Sequence, residues 1–198
     1  MFQIEIHNLS KKYQRKEVLH NVNMQISNEK YNFILGCNGS GKSTFVKCIN
    51  GIIDYHGYIN NKKYRISYCP EKVNMPDFIT LKNFLCLLSK DKKISYTHQK
   101  NKIMNYIKNF NIDMYANTPI IKLSQGTKQK ILLIQCLVSD ADVYIFDEPL
   151  NSLDVESERI FINELIKLKE DNKLILIITH QLDKYPFSDI NRIELQNG

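Results

Sequence analysis

Eight consecutive residues, Gly36-Cys37-Asn38-Gly39-Ser40-Gly41-Lys42-Ser43, fill every fixed position of G-x-x-x-x-G-K-[ST]. Glycines at 36, 39 and 41 let the backbone turn tightly enough for its N–H groups to wrap phosphate oxygens. Lys42 can then reach the terminal phosphates of a nucleotide, while the Ser43 hydroxyl is placed to coordinate Mg²⁺. Two acids, Asp147 and Glu148, close an apolar run, and His180 closes another. At such a phosphate site, Asp147 would hold Mg²⁺, Glu148 would act as general base toward a water, and the His180 imidazole would hydrogen-bond the γ-phosphate. Leu123-Ser124-Gln125-Gly126-Thr127 is a further distinctive stretch. Ser124 can cap a helix and Gly126 permits close backbone approach, which describes either an ordinary capped helix or an anion site at a helix N-terminus.

These residues do their chemistry only if regular elements carry them to one place. Tyr31 to Leu35 reads as a short buried strand before the glycine-rich loop, and Ser43 to Asn50 as a helix whose positive end faces the anion. Val143 to Phe146 and Leu174 to Ile178 read as buried parallel strands. Asp147-Glu148 and Thr179-His180 would leave them on the edge where the loop lies. The helix from Val155 to about Lys169 turns Phe161, Ile162, Leu165, Ile166 and Leu168 inward.

Phe2, Ile4 and Ile6 alternate, as do Val18, Val22, Met24 and Ile26 after a polar turn, predicting an antiparallel β region at the start. Asp54 to Asn61 reads as a hairpin around Gly57, and Tyr64 to Cys69 as a strand stopped by Pro70. From Thr80 to about Phe110 the period becomes helical. Thr80 is the N-cap there, Leu81, Phe84, Leu85 and Leu88 share one face, and Ile103, Ile107 and Phe110 continue in a second helix. A helical insertion over 71–123 is expected, followed by a longer helix carrying Ile131, Leu132, Gln135 and Val138. The fold class is α/β: a nucleotide-hydrolase core with a mostly parallel sheet, an N-terminal antiparallel β region and a small helical insertion, all in one domain over 1–198.

Bulk composition narrows the classes. Hydrophobic residues make up 43% and charged residues 24%, as in ordinary globular chains. No apolar run approaches the roughly 20 residues of a membrane-spanning helix, and Met1 to Glu5 lacks the pattern of a secretory leader. Cysteines at 37, 48, 69, 86 and 136 are odd in number and form no C-x-x-C pair, which argues for a reducing compartment and against a zinc site. The net charge of +6 is spread in short clusters such as Lys11-Lys12 and Lys62-Lys63. That pattern suits a solvated surface, with attraction to an acidic membrane surface as the second reading and no nucleic-acid partner expected.

In order and content these residues resemble the ATP-binding cassette family across essentially the whole chain. Gly36 to Ser43 with Thr44 following is similar to the family's phosphate loop, and Leu123 to Thr127 resembles its LSGGQ signature, departing at Gln125 and Thr127. Ser152-Leu153-Asp154 resembles the D-loop, His180 stands at the switch histidine, and Tyr13 at the aromatic that stacks on adenine. Where the family has a glutamine near Mg²⁺ and the attacking water, this chain has Glu71.

The resemblance implies ATP and Mg²⁺ as ligands. It implies Gly36, Asn38, Gly39, Ser40, Gly41, Lys42, Ser43 and Thr44 as nucleotide contacts, and Ser43, Asp147 and Glu71 around the metal. It also implies two cassettes, alike or different, facing head to tail, with Ser124 and Gly126 of one covering the γ-phosphate held by Lys42 of the other.

A separate membrane permease is the implied partner, on the inner face of the cell membrane, with Phe78, Ile79, Phe84 and Leu85 either docking candidates or core residues of the insertion itself. The short insertion and Glu71 resemble small exporter-type cassettes for peptides, drugs or antibiotics. The alternative is a non-transport cassette, such as an iron–sulfur assembly or translation-associated ATPase.

Overall fold

The computed structural model describes residues 3–14, 16–37, 39–88 and 96–195, with the side chains of Lys62 and Tyr96 outside the description. The chain divides into two compact units. The first takes Met1–Tyr68, Ala141–Glu148 and Lys167–Gly198, and the second Cys69–Asp140 and Pro149–Ile166.

In the first unit, β1 (Gln3–Tyr13) and β2 (Lys16–Ser27) form the expected antiparallel pair. Phe2 lies outside the described residues, but Ile4, Ile6 and Leu9 of β1 and Leu19 and Ile26 of β2 are buried. β3 (Tyr31–Leu35) leads through the glycine-rich loop into α1 (Lys42–Ile49). The predicted hairpin at Gly57 does not form. β4 (His56–Ile59) runs through that glycine and pairs antiparallel with β1, giving the sheet order β2-β1-β4. Gly57 has φ +102°, and a Cβ there would sit 2.5 Å from the carbonyl oxygens of His7 and Asn8. The glycine therefore permits close approach of two strands rather than a reversal.

The second sheet orders β5 (Ile66–Cys69), β6 (Val143–Asp147), β7 (Leu174–Ile178), β3 and β8 (Ile190–Glu194). β3 is parallel to β7 and β8, and β6 is parallel to β7. β8 escaped the sequence reading because Ile190-Asn-Arg-Ile-Glu carries only two apolar residues, as suits an edge strand. β6 and β7 are buried at every position. Ile34, Val143, Ile145, Leu174, Leu176 and Ile178, alternate residues on one sheet face, join Phe45, Val46, Cys48 and Ile49 of α1 and Ile4, Ile6 and Ile26 of the small sheet in one core. Burial of both faces explains why these strands read as continuous apolar runs.

One polar side chain sits inside this sheet. Asn32 is fully buried in β3, and its Nδ2 donates to the carbonyls of Ser27, Lys30 and Ile175, while its Oδ1 accepts from Asn191 Nδ2 at 3.0 Å. It ties the turn before β3 to both flanking strands.

The second unit holds α2 (Leu81–Leu88), α3 (Tyr96–Asn109), α4 (Gln125–Val138) and the first turns of α5 (Val155–Glu170). Thr80 Oγ1 accepts the Asn83 N–H as a cap should, at 3.4 Å. Segments 77–82 and 116–121 are cross-linked by backbone bonds, among them Leu81 N–H to Thr118 O and Ile120 N–H to Ile79 O. Leu81, Leu85, Ile103, Ile107 and Phe110 are buried as expected, but Leu88 and Ile166 are exposed. Phe84 and Leu85, offered above as docking residues, are buried in their own unit and offer no surface. Phe78, 88% exposed, does.

Truncating Asn32 to Ala removes a fully buried amide and its bonds to the Ser27, Lys30 and Ile175 carbonyls, of which the Ile175 contact is buried, and is expected to cost about 1–3 kcal/mol of stability. Urea unfolding with an unchanged slope would measure it, and a loss under about 1 kcal/mol would show the network to be dispensable.

Candidate nucleotide site

The glycine-rich loop leaves β3 and re-enters as α1. Gly36, Gly39 and Gly41 all have positive φ, at 144°, 86° and 94°. A Cβ at Gly41 would lie 2.9 Å from the Val18 carbonyl, so β2 closes against the loop there. Gly39 has open space where a side chain would go, leaving its backbone accessible. α1 begins after Gly41 with no side-chain cap and no acidic residue in its first turn, so nothing within that turn offsets the partial positive charge of its N-terminus. Lys42 Nζ donates to the Gly36 and Cys37 carbonyls at 2.7 and 2.8 Å, folded back along the loop. Among the described residues, the buried Ser40 Oγ has no hydrogen-bond partner. Ser43 is exposed and Thr44 half-buried, while Asn38 lies outside the described residues. A cationic tip, bare helix N–H groups and an orphaned hydroxyl are the donor set that a polyphosphate with a hard divalent cation requires.

The acids and the histidine reach the same sheet edge by register. Asp147 pairs with Ile178, and Ile178 with Ile34, so β6, β7 and β3 end at one level. The next residues are Glu148, Thr179 and, past Leu35, Gly36. Asp147 is 6% exposed and its Oδ2 accepts from the Tyr68 hydroxyl at 3.3 Å. Glu148 holds a left-handed backbone, φ 48°, fixed by its N–H to the Ile178 carbonyl at 2.9 Å. That conformation is costly for a non-glycine residue and typical of a constrained site. It aims the carboxylate at His180: Oε2 lies 2.9 Å from Nδ1, with the Glu148 side chain 13% and the His180 side chain 62% exposed. An acceptor-only carboxylate facing an accessible imidazole can take up and pass on a proton.

Tyr13 ends β1 in the hairpin whose return strand touches Gly41 at Val18. Its ring is exposed, with Lys11 Nζ 5.2 Å from the centroid.

Among the second unit's candidates, Ser124 caps α4, its Oγ accepting the Thr127 N–H at 3.2 Å and lying 2.9 Å from Thr127 Oγ1. Gly126 faces Ser152, whose carbonyl would be 2.7 Å from a Cβ at 126. Glu71 lies in this unit, its carboxylate 3.7 Å from Lys72 Nζ, on a cavity of about 500 Å³ shared with Asp77, Gln125 and Lys128.

Against known proteins, the family described as "ABC transporter" matches residues 19–151. The chain belongs to the ABC transporter family. It is the ATP-binding subunit of an ABC transporter, an ABC-type ATPase. It is similar to the manganese transport system ATP-binding protein of Bacillus subtilis (strain 168), 30% identical with 92% of this chain and 78% of that protein covered. It is also similar to the zinc import ATP-binding protein of Wigglesworthia glossinidia brevipalpis, 34% identical over 90% of this chain and 76% of that one. Among solved structures, the ATP-binding subunit of an ABC transporter shares the fold with a TM-score of 0.89 at 24% identity, covering 100% of this chain and 87% of that one. A dimeric, post-hydrolysis cassette bound to ADP and Pi shares it with a TM-score of 0.83 at 22% identity, covering 97% and 96%.

The sequence reading of this ABC cassette missed two supporting residues. Lys130, its side chain 11% exposed, extends Nζ to Asp154 Oδ2 at 2.8 Å and to the Phe110 carbonyl at 3.3 Å. Gln129 Nε2 donates to the Pro149 carbonyl. With Gly126 these residues form an i, i+3, i+4 face of α4 set against the 149–154 loop. A buried lysine at the signature helix was the available signal, but nothing in spacing pairs it with a residue 24 positions away.

The Lys130 hydrogen bond, helped by the Ser157 N–H at 2.8 Å, holds the Asp154 carboxyl down at about 2 from its ordinary 3.8. A depressed carboxyl stabilises the fold fully above the ordinary value, and that contribution fades as pH falls from about 4 toward 2. Asp154→Asn is therefore expected to lower the urea midpoint at neutral pH and to flatten its acid decline. Parallel acid limbs for variant and parent would refute the pairing. Because Asp154 is half-exposed, solvent screening keeps the effect modest.

Proposed function

We propose that the chain, acting as one cassette over 1–198, hydrolyses ATP to drive movement of a divalent metal ion such as manganese or zinc through a separately encoded membrane permease. The shared register of β6, β7 and β3, with Glu148 Oε2 2.9 Å from His180 Nδ1, is the observation that carries the hydrolytic reading. Among the described residues no helix is long and apolar enough to cross a membrane, which fits a cassette working from the inner face on a permease. The cargo rests on the manganese and zinc relatives described above. Export of peptides, drugs or antibiotics, expected from Glu71 and the short insertion, finds no counterpart in them.

In this reading Lys42 leaves the Gly36 and Cys37 carbonyls for the terminal phosphates, exchanging two neutral acceptors for a charged one. The loop N–H groups of residues 36–41, including Asn38, and the start of α1 hold the remaining oxygens, with Thr44 behind them. Tyr13 offers its exposed ring to the adenine. The Ser43 hydroxyl and the Asp147 carboxylate are hard oxygen donors suited to Mg²⁺. Bound there, Mg²⁺ would supply neutralisation of the phosphate charge. Glu148 accepts the proton of the attacking water, and His180 keeps that carboxylate oriented. Ser124 and Gly126, presented at the N-terminus of α4, cover the nucleotide of a second cassette, so turnover requires a dimer, of like or unlike chains.

Glu148→Gln is expected to keep ATP affinity, lose at least about 100-fold in turnover, as removal of a general base does, and accumulate as an ATP-bound dimer on sizing. Lys42→Ala should weaken ATP binding by calorimetry. Full turnover in the first variant, or parental affinity in the second, would remove the site.

For the cargo, cells carrying only Lys42→Ala should take up less isotopically labelled manganese or zinc. Normal metal uptake with heightened sensitivity to a peptide or drug would reverse the assignment.

A further inference from the structure

The two ring nitrogens of His180 have different neighbours. Nδ1 faces Glu148 Oε2 at 2.9 Å, and Nε2 faces the side-chain amide nitrogen of Gln181 at 3.2 Å. A carboxylate only accepts hydrogen bonds, so the proton of the first contact belongs to Nδ1. In a neutral ring Nε2 is then a bare acceptor, and the amide –NH₂ it meets is a donor. Both contacts describe one species, the Nδ1–H tautomer. Gln181 is itself anchored, its backbone N–H donating to Oγ1 of buried Thr179 at 3.0 Å.

We propose that Gln181 is a positioning residue that latches His180 in a resting tautomer, with a lone pair rather than a proton at Nε2. The proposal rests on the reading of Glu148 and His180 as the hydrolytic pair. A lone pair repels a phosphate oxygen, so the latched ring cannot donate to an anion from Nε2. Donation requires a proton on Nε2 and withdrawal or rotation of the Gln181 amide. Half a turn about its terminal torsion exchanges –NH₂ for C=O, which converts the same side chain into an acceptor for Nε2–H. Gln181 therefore has two positions with opposite preferences for the proton.

The test uses the full chain labelled with ¹⁵N-histidine, nucleotide-free and at mildly alkaline pH, where a free imidazole is neutral. The His180 signals are identified among those of five histidines by their loss in His180→Ala. Nδ1 is expected in the protonated, pyrrole-type range and Nε2 in the unprotonated, pyridine-type range. Gln181→Glu, which replaces the donor with an acceptor on a similar side chain, should move Nε2 into the protonated range. Gln181→Leu should release the latch and raise kcat for ATP several-fold with KM unchanged.

An Nε2 already protonated in the parent chain overturns the proposal. So does an Nε2 that stays pyridine-type in Gln181→Glu, or a kcat that does not move in Gln181→Leu. Failure of the underlying reading is seen separately, as retained turnover in Glu148→Gln with the nitrogen signals as expected.

Discussion

The pairing of Asp147 with Ile178, and of Ile178 with Ile34, is the constraint on which the site depends. Three parallel strands that share a level must end on one edge, so the segments following them emerge side by side whatever their own sequences. A slip of one residue in either pair would turn every side chain to the opposite face and expose core residues such as Ile145, Leu176 and Ile34. The core therefore holds the catalytic edge in place, because apolar burial along strands buried on both faces resists such a slip. Asn32 adds a directional lock, since only one register lets its amide reach Ser27, Lys30, Ile175 and Asn191 together.

Once the edge is fixed, local chemistry divides the labour. Asp147, still within its strand, is buried and touches a tyrosine hydroxyl. Glu148, one residue on, escapes the pleat through a left-handed backbone and faces a largely exposed imidazole. Two adjacent carboxylates thus acquire different surroundings, one suited to holding a cation and the other to handling a proton. The loop that follows β3, two strands away on the same sheet edge, is positive where these are negative. Its lysine, resting on carbonyls of its own turn, needs no carboxylate to neutralise it and stays available for an anion.

What the sequence made legible follows from how local each signal is. The glycine-rich loop, β3, β6, β7 and the α5 boundaries were readable because an apolar run bounded by polar punctuation fixes both type and ends. Gly57 misled because a glycine with positive φ serves a turn and a close strand contact equally well, and only the carbonyls of His7 and Asn8, some fifty residues earlier, decide between them. β8 was invisible because an edge strand buries too little to impose a pattern. Phe84 and Leu85 looked like docking residues because periodicity reports an apolar face without saying what covers it. The Lys130–Asp154 pair and the Gln181 contact were out of reach for a similar reason: a hydrogen bond between side chains leaves no period behind.

The departures within Leu123 to Thr127 become intelligible from the same local geometry. Ser124 serves there as a cap, its Oγ satisfying a helix N–H that would otherwise lack a side-chain partner. Gly126 is fixed by a neighbour, since any side chain would meet the Ser152 carbonyl, itself held by a residue at φ 63°. Neither restriction applies to position 125, whose side chain is exposed, so a glutamine is tolerated in the fold. At position 127 the threonine hydroxyl lies 2.9 Å from Ser124 Oγ and orients the capping group from inside the first turn. Of the two positions that depart from the family pattern, 125 is exposed and outside these constraints, while 127 is buried and keeps a polar side chain that serves the cap; Ser124 and Gly126 are held by contacts within their own unit.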